Sequence, residues 1–216
     1  MRLVRVLLDL LYPPKCPFCG RVLERGERGA CAACLEELPW AAEEKAVTGC
    51  STCLSPLRYQ DRVRDGIHRY KFEGGQVHAG LFGELMAQCL SQRWDGPVDF
   101  ITWVPLHRKR RRERGYDQAE LLARRVGELL DLPVVPTLEK VRAAGEQSHL
   151  RDAAERKANV ARAYRVLPGI DLAGKRVVLV DDVVTTGATM GQCAACLRGA
   201  GAASVVGLTL AQAGKK

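Results

Sequence analysis

Two neighbouring carboxylates, Asp181 and Asp182, follow directly on the apolar run Val177-Val178-Leu179-Val180 and shortly precede a small hydroxyl-bearing segment, Thr185-Thr186-Gly187-Ala188-Thr189. Adjacent acids suit the hydroxyls of a polyol, or a metal ion bound to them. Threonine hydroxyls and free backbone N–H groups at the start of a helix suit an anion, phosphate above all. In this order the groups describe a receptor for a sugar that carries a phosphate. To position them, Arg176 to Val180 must be a strand buried on both faces, as its β-branched composition indicates. Met190 to Arg198 must then be the helix that follows the turn. Ligands of an open parallel sheet lie at the carboxyl ends of its strands, where these residues fall. Neither GxxxxGK[ST] nor a GxGxxG after a strand is present, so other common phosphate loops fit worse.

A second chemistry is metal binding. Nine cysteines are many for 216 residues, and four of them form two knuckles, Cys16-x-x-Cys19 and Cys31-x-x-Cys34. Two such pairs present four thiolates in the tetrahedral array that Zn²⁺ prefers. Disulfides are disfavoured because nothing indicates secretion. So short a module has almost no core, and the metal supplies its folding energy, on the order of 10 kcal/mol. Cys50 and Cys53 form a third pair that either replaces one knuckle, forms half of another site, or is simply reduced and structural. Cys193, Cys196 and Cys89 sit in helical segments and read as small packing residues.

A third cluster is basic. Six of the ten residues from Leu106 to Gly115 are Lys or Arg. They suit a pyrophosphate or a nucleic-acid backbone, with a solvated charge run as the plainer alternative. Trp103 and Tyr116 flank the run as candidate stacking aromatics. Lys71 reads as a solvated lysine, with a phosphate contact as the alternative; His68 and His78 have no ligand-spaced partner.

The remaining pattern is that of an α/β chain. Val98 to Val104 and Ser204 to Leu210 read as further strands, and Pro133 to Val135 as a short one. Leu81 to Arg93 and Tyr116 to Leu130 read as helices, and Ser55 to Arg64 as a linker. Alternating strands and helices call for right-handed crossovers and a mostly parallel sheet. Hydrophobic residues at 47% and charged residues at 27% describe a globular chain, and the formal charge of +8 favours anionic partners. No apolar run approaches the ~20 residues of a membrane span. Leu3 to Tyr12 reads as an amphipathic helix stopped by Pro13-Pro14, with docking on a membrane surface as one use for it. The expected location is cytoplasmic, with any membrane contact peripheral.

The strand, the two acids and the Thr-Thr-Gly-x-Thr turn resemble the 5-phosphoribosyl-1-pyrophosphate (PRPP) signature of type I phosphoribosyltransferases. Further motifs narrow the resemblance: Val104 to His107, Arg114 to Ala119, then Gln147, Leu150, Arg156 and Asn159-Val160 ahead of the signature. Together they are similar to the ComF family, phosphoribosyltransferase-like proteins of bacterial DNA uptake with an N-terminal zinc module. The resemblance implies a zinc-ribbon-like module over 1–55, with Cys16, Cys19, Cys31 and Cys34 as metal ligands. It implies a phosphoribosyltransferase-like domain over 56–216. By the same resemblance Asp181, Asp182, Thr185, Thr186, Gly187, Ala188 and Thr189 bind PRPP with Mg²⁺, and Leu106, His107 and Arg108 form the pyrophosphate loop. Ala143 to Asn159, with Lys157, corresponds to the flexible lid. Arg110, Arg111, Arg112 and Arg114 are the candidate contacts to single-stranded DNA. The function implied is PRPP binding in the service of DNA uptake, with phosphoribosyl transfer to an unidentified acceptor as the alternative. Two positions depart from the family pattern: Asp117 replaces the usual Asn, and Ala144 stands where a threonine is common.

Overall fold

The structure, a computed structural model, describes residues 13–141 and 163–214. The expected N-terminal helix and the lid segment, including Gln147, Leu150, Arg156, Lys157 and Asn159-Val160, lie outside the described residues. The elements are α1 (Ala32–Glu36), β1 (Thr52–Leu54), β2 (Leu57–Arg58), α2 (Asp61–Phe72), α3 (Ala79–Arg93), β3 (Phe100–Trp103), α4 (Arg108–Arg114) and α5 (Gln118–Leu130). They continue with β4 (Leu138–Lys140), β5 (Tyr164–Val166), β6 (Arg176–Val184), α6 (Ala188–Gly199) and β7 (Ser204–Gln212).

The sheet has the order β1-β7-β6-β3, with β2 also pairing with β7, and every pairing in it is parallel. Central strand β6 is the expected one: Val177, Val178, Leu179 and Val180 are all buried, as a strand covered on both faces requires. Their side chains alternate between two cores. Val178 and Val180 join Leu122 and Val126 of α5, Met86 and Leu90 of α3 and Ile67 and Tyr70 of α2. Val177 and Leu179 join Met190, Cys193 and Leu197 of α6 on the opposite face.

Strand β6 runs four residues beyond the expected end at Val180. Asp181, Val183 and Val184 keep pairing with β7, whereas the partnership with β3 stops at Trp103–Val180. One edge of β6 is therefore open beside the two acids.

Several local expectations change. The segment read as a linker, 55–64, contains β2 and the first turn of α2. The short strand at 133–135 is reduced to a single parallel bridge between Val134 and Ile101. An antiparallel ribbon pairs β4 with β5 and was not expected. Strand β1, just ahead of residue 55, belongs to the main sheet. The ribbon residues Cys16, Phe18, Cys31 and Cys34 share a hydrophobic cluster with α2 and α3. Phe18 packs on Phe82 at 5.9 Å between ring centroids, and Arg69 of α2 donates to the carbonyls of Pro17 (2.8 Å) and Phe18 (3.1 Å).

Candidate functional site

The sulfurs of Cys16, Cys19, Cys31 and Cys34 all lie within 4.8 Å of one another. Each knuckle is shaped by its backbone: Gly20 N–H donates to the Cys16 carbonyl at 2.9 Å, and Leu35 N–H to that of Cys31 at 3.1 Å. The Cys19–Cys31 separation is 3.8 Å. A tetrahedron with Zn–S bonds of ~2.3 Å has edges of about 3.8 Å, so the spacing fits a zinc ion. Burial works to raise the Cys31 thiol, but N–H donation from Cys34 and the neighbouring thiols outweigh it and bring it down to about 7. Burial pushes Cys34 up to about 12. The four sulfurs form a structural zinc site.

The third pair does not join it. Cys53 lies in β1, fully buried, and its Sγ stands 2.9 Å from where a Cβ on Gly207 would sit. Burial pushes Cys50 up to about 11 and Cys53 up to about 12, so both are held as thiols. Among the described residues the four ribbon cysteines are the one group of three or more Cys, His, Asp or Glu side chains close enough to hold a metal together. Cys193 and Cys89 are buried in helix faces, as expected for packing residues.

At the open edge of β6, strand alternation sends the two acids to opposite faces of the sheet. Asp181 faces the α6 side, and its Oδ1 accepts from the Asp182 N–H at 2.8 Å. Burial, then the adjacent Asp182 carboxylate, push Asp181 well above the usual carboxylate range. Asp182 faces the α2 side, where Lys71 Nζ lies 2.7 Å from its Oδ1. The Asp182 side chain is only 6% exposed and that of Lys71 23%, so Lys71 is not the solvated surface lysine expected. The second oxygen, Asp182 Oδ2, is buried without a hydrogen-bond partner.

The turn that follows is open to ligand. Thr185, Thr186, Ala188 and Thr189 are exposed, while Gly187 is buried at φ +81°. A Cβ on Gly187 would meet Val47 Cγ2 at 3.0 Å, so both backbone and space require glycine there. A concavity of about 70 Å³, lined by Asp181 and Val183 to Met190, sits at the start of the twelve-residue α6 and has room for a small oxyanion.

Leu106 and His107 lie between β3 and α4, and Arg108 is the first residue of α4. The Leu106 N–H is taken by Asp117 Oδ2 at 2.8 Å, while Asp117 Oδ1 caps α5 through Ala119 (3.1 Å) and Glu120 (3.3 Å). The departure from the family's Asn is thus a buried capping group that fixes the loop. Burial pushes its carboxyl up, against those three N–H donors. Arg108 is 84% exposed on its side chain, 3.8 Å from Glu139.

The basic run folds into α4. Arg111 pairs with Glu120 at 3.0 Å, and Arg114 donates to Gln118 and lies 4.7 Å over the ring of Phe72. The two flanking aromatics are not available for stacking: Trp103 and Tyr116 are 7% and 8% exposed. The Tyr116 hydroxyl donates to the Tyr70 carbonyl, inside the packed face. The ring exposed beside the basic run is Phe72 instead, at 62%. With Lys71, Gly74, Arg110, Glu113, Arg114 and Tyr116 it lines a cleft of about 450 Å³.

Sequence reading therefore passed over Phe72 and misjudged Lys71. The helix period held the signal, since Lys71 lies four residues after the buried Ile67 and shares its face. Lys140 of β4 was also missed. It lies over the Tyr164 ring at 4.9 Å, and burial pushes its amine down.

With this geometry in view, comparison with known proteins is decisive. A double zinc ribbon domain model matches residues 7–66, and a phosphoribosyl transferase domain model matches residues 113–216. The chain is 33% identical over 196 residues to the DNA utilization protein YhgH of Salmonella typhi, covering 88% of this chain and 80% of that one. It is 35% identical over 207 residues to competence protein F of Haemophilus influenzae, covering 93% and 85%. The chain belongs to the ComF/YhgH family. It is also 29% identical to competence protein ComFC of Bacillus subtilis, over 90% of this chain and 76% of that one. A solved structure of the allosteric regulatory enzyme of purine biosynthesis is similar at a TM-score of 0.45 and 26% identity, over 61% of this chain and 26% of that one. The fold is thus that of the family, a mostly parallel phosphoribosyltransferase sheet carrying a double zinc ribbon in front.

Proposed function

We propose that this protein binds PRPP at the carboxyl end of β6 and acts in DNA uptake by gripping single-stranded DNA. The observation that carries the first half is the Asp181–Asp182 corner beside the Thr185–Thr189 turn, at an edge of β6 that β3 leaves unpaired. In this reading Thr185, Thr186, Gly187, Ala188 and Thr189 surround the 5′-phosphate, with Thr hydroxyls and the first N–H groups of α6 as donors. Asp181 and Asp182 accept from the ribose hydroxyls. Leu106, His107 and Arg108 face the pyrophosphate; the Leu106 N–H is spent on Asp117, so Arg108 supplies the charge.

A hard-oxygen donor set next to an unpartnered buried carboxylate oxygen fits Mg²⁺, which also prefers to keep waters and substrate phosphates as ligands. Such an ion would supply charge neutralisation to the pyrophosphate. Asp182 would hold it through Oδ2, and the ion would favour the ionised form of the neighbouring Asp181.

The DNA half rests on the names of the relatives, a competence protein and a DNA utilization protein, and on the cationic surface of α4. Arg110, Arg111, Arg112 and Arg114 would follow the phosphate backbone, a contact that is strongly salt-dependent. Calorimetry with PRPP and Mg²⁺ tests the sugar-phosphate site: wild type gives heat and Asp182→Asn gives none. Equal heats would remove the assignment. Replacing Arg110, Arg111 and Arg112 together by Ala should weaken oligonucleotide binding and flatten its salt dependence. A screen for pyrophosphate release against bases, amines and DNA separates binding from transfer, because positioning and charge stabilisation at this corner would also serve a transferase.

A further inference from the structure

The cleft beside the proposed sugar-phosphate site has a composition that this site does not use. Lys71, Arg110 and Arg114 face about 450 Å³ of open space against a single acid, Glu113. Phe72 presents an exposed ring at its wall, and Arg114 is stacked on that ring at 4.7 Å. Exposed aromatic surface next to cations suits a flat ring that carries a negative charge, since a π-face accepts a base and a guanidinium fork accepts a phosphate. The volume lies within the usual range of small-ligand pockets, roughly 300–1,000 Å³. The cleft is joined to the β6 corner by one residue. Lys71 lines the cleft, yet its ammonium is held on Asp182 at 2.7 Å, and Asp182 is the acid assigned to the ribose.

We infer that the cleft formed by Phe72, Arg110 and Arg114 is a second binding site, for a nucleotide unit, and that Lys71 couples its occupancy to the freeing of Asp182. A phosphate in the cleft offers Lys71 a second anion. Shared between the two, Lys71 holds Asp182 less tightly, and the carboxylate becomes available to a sugar diol. By linkage the coupling is reciprocal: each ligand tightens the other by the same factor. The coupling rests on the PRPP reading of the β6 corner; the cleft itself does not. The nucleotide unit comes either as a free mononucleotide or as one residue of a single strand, and the chemistry recognised is the same.

The test uses the full chain with three probes: dAMP, a short single-stranded oligonucleotide and inorganic phosphate. Phe72 is exposed, so Phe72→Ala should fold normally. It is expected to weaken dAMP or the oligonucleotide about tenfold, with Phe72→Trp restoring binding, while inorganic phosphate is unaffected. Whichever of the two nucleotide probes shows the effect identifies the source. PRPP affinity measured with saturating nucleotide should rise about fivefold or more in wild type and stay constant in Lys71→Gln. If Phe72→Ala binds both nucleotide probes as wild type does, or wild type binds neither, the cleft assignment is overturned. If the nucleotide binds and PRPP affinity does not move, the Lys71 coupling is overturned. A wild type that binds the nucleotide but no PRPP overturns the coupling and the sugar-phosphate reading while leaving the cleft in place.

Discussion

The zinc ribbon and the end of β6 solve one problem in opposite ways. Both gather like groups that repel once ionised. In the ribbon four thiols converge to within 4.8 Å, and cations reach them only from the rim, as Arg62 does where it donates to Cys34 at 3.7 Å. Only a metal ion fits the centre. At β6 two carboxylates adjacent in sequence are turned to opposite faces by the pleat. One is paired with the chain's own Lys71, and burial pushes the carboxyl of the other well above the usual carboxylate range. A convergent cluster needs an added cation in order to fold. A divided one supplies its own cation and leaves one buried carboxylate oxygen unpaired.

The ribbon should therefore show the largest effect of any perturbation. Cys16→Ser with Cys19→Ser removes two of four ligands, and with them folding energy on the order of 10 kcal/mol. Metal analysis should show zinc lost, and proteolysis should cut first within 14–40. Full zinc content in that variant would mean the sulfurs do not act as a unit.

Next in size is the ion pair at β6. Lys71→Met leaves Asp182 buried without a partner, which costs about 3 kcal/mol in urea unfolding. Adding Asp182→Asn should recover most of that loss, because the uncompensated charge is then gone. A double variant as unstable as the single one would show that Lys71 stabilises by packing its methylenes.

These two regions were unequally legible. Ribbon ligands and the β6 signature are local patterns, a few residues long, and both could be read from spacing. The α2 contribution could not be read that way. Whether Lys71 is solvent-exposed depends on α2 packing across α5 and the sheet, and Asp182 is more than a hundred residues away. Likewise Trp103 and Tyr116 looked like stacking residues because they flank a basic run. One is in a strand covered on both faces and the other donates to Tyr70, which left Phe72 as the exposed ring. Asp117 was legible only as a departure from the family's Asn; its three N–H partners, one of them on the Leu106 loop, exist only in the fold. The extra four residues of β6 depend on β7 being long enough to pair with them, which no local window of β6 reveals.

A smaller effect is expected of Asp181, and its sign is opposite to that of Lys71. Its folded pKa is raised, chiefly by burial, so the native state binds this proton more tightly than the unfolded chain does. That contribution is complete below the unfolded value of ~3.9 and is lost as pH rises through the folded pKa. Asp181→Asn should therefore raise the ligand-free Tm at neutral pH and flatten its decline above pH ~4, while PRPP binding is lost. A variant less stable than wild type at neutral pH would mean that the Asp181 carboxylate is welcome where it lies.

The smallest effect probes the comparison at its margin, where thiols are spaced like ligands but do not converge. Cys50 and Cys53 repeat the ribbon's spacing, yet Cys53 faces Gly207 across the β1–β7 pairing and burial keeps both as thiols. Cys50→Ser combined with Cys53→Ala should retain the zinc content of wild type. Its cost should be about 1 kcal/mol, mostly from the space that the buried sulfur leaves. Loss of zinc in this variant would make the third pair a ligand set and end the distinction between a cluster that must hold a metal and a pair that merely packs.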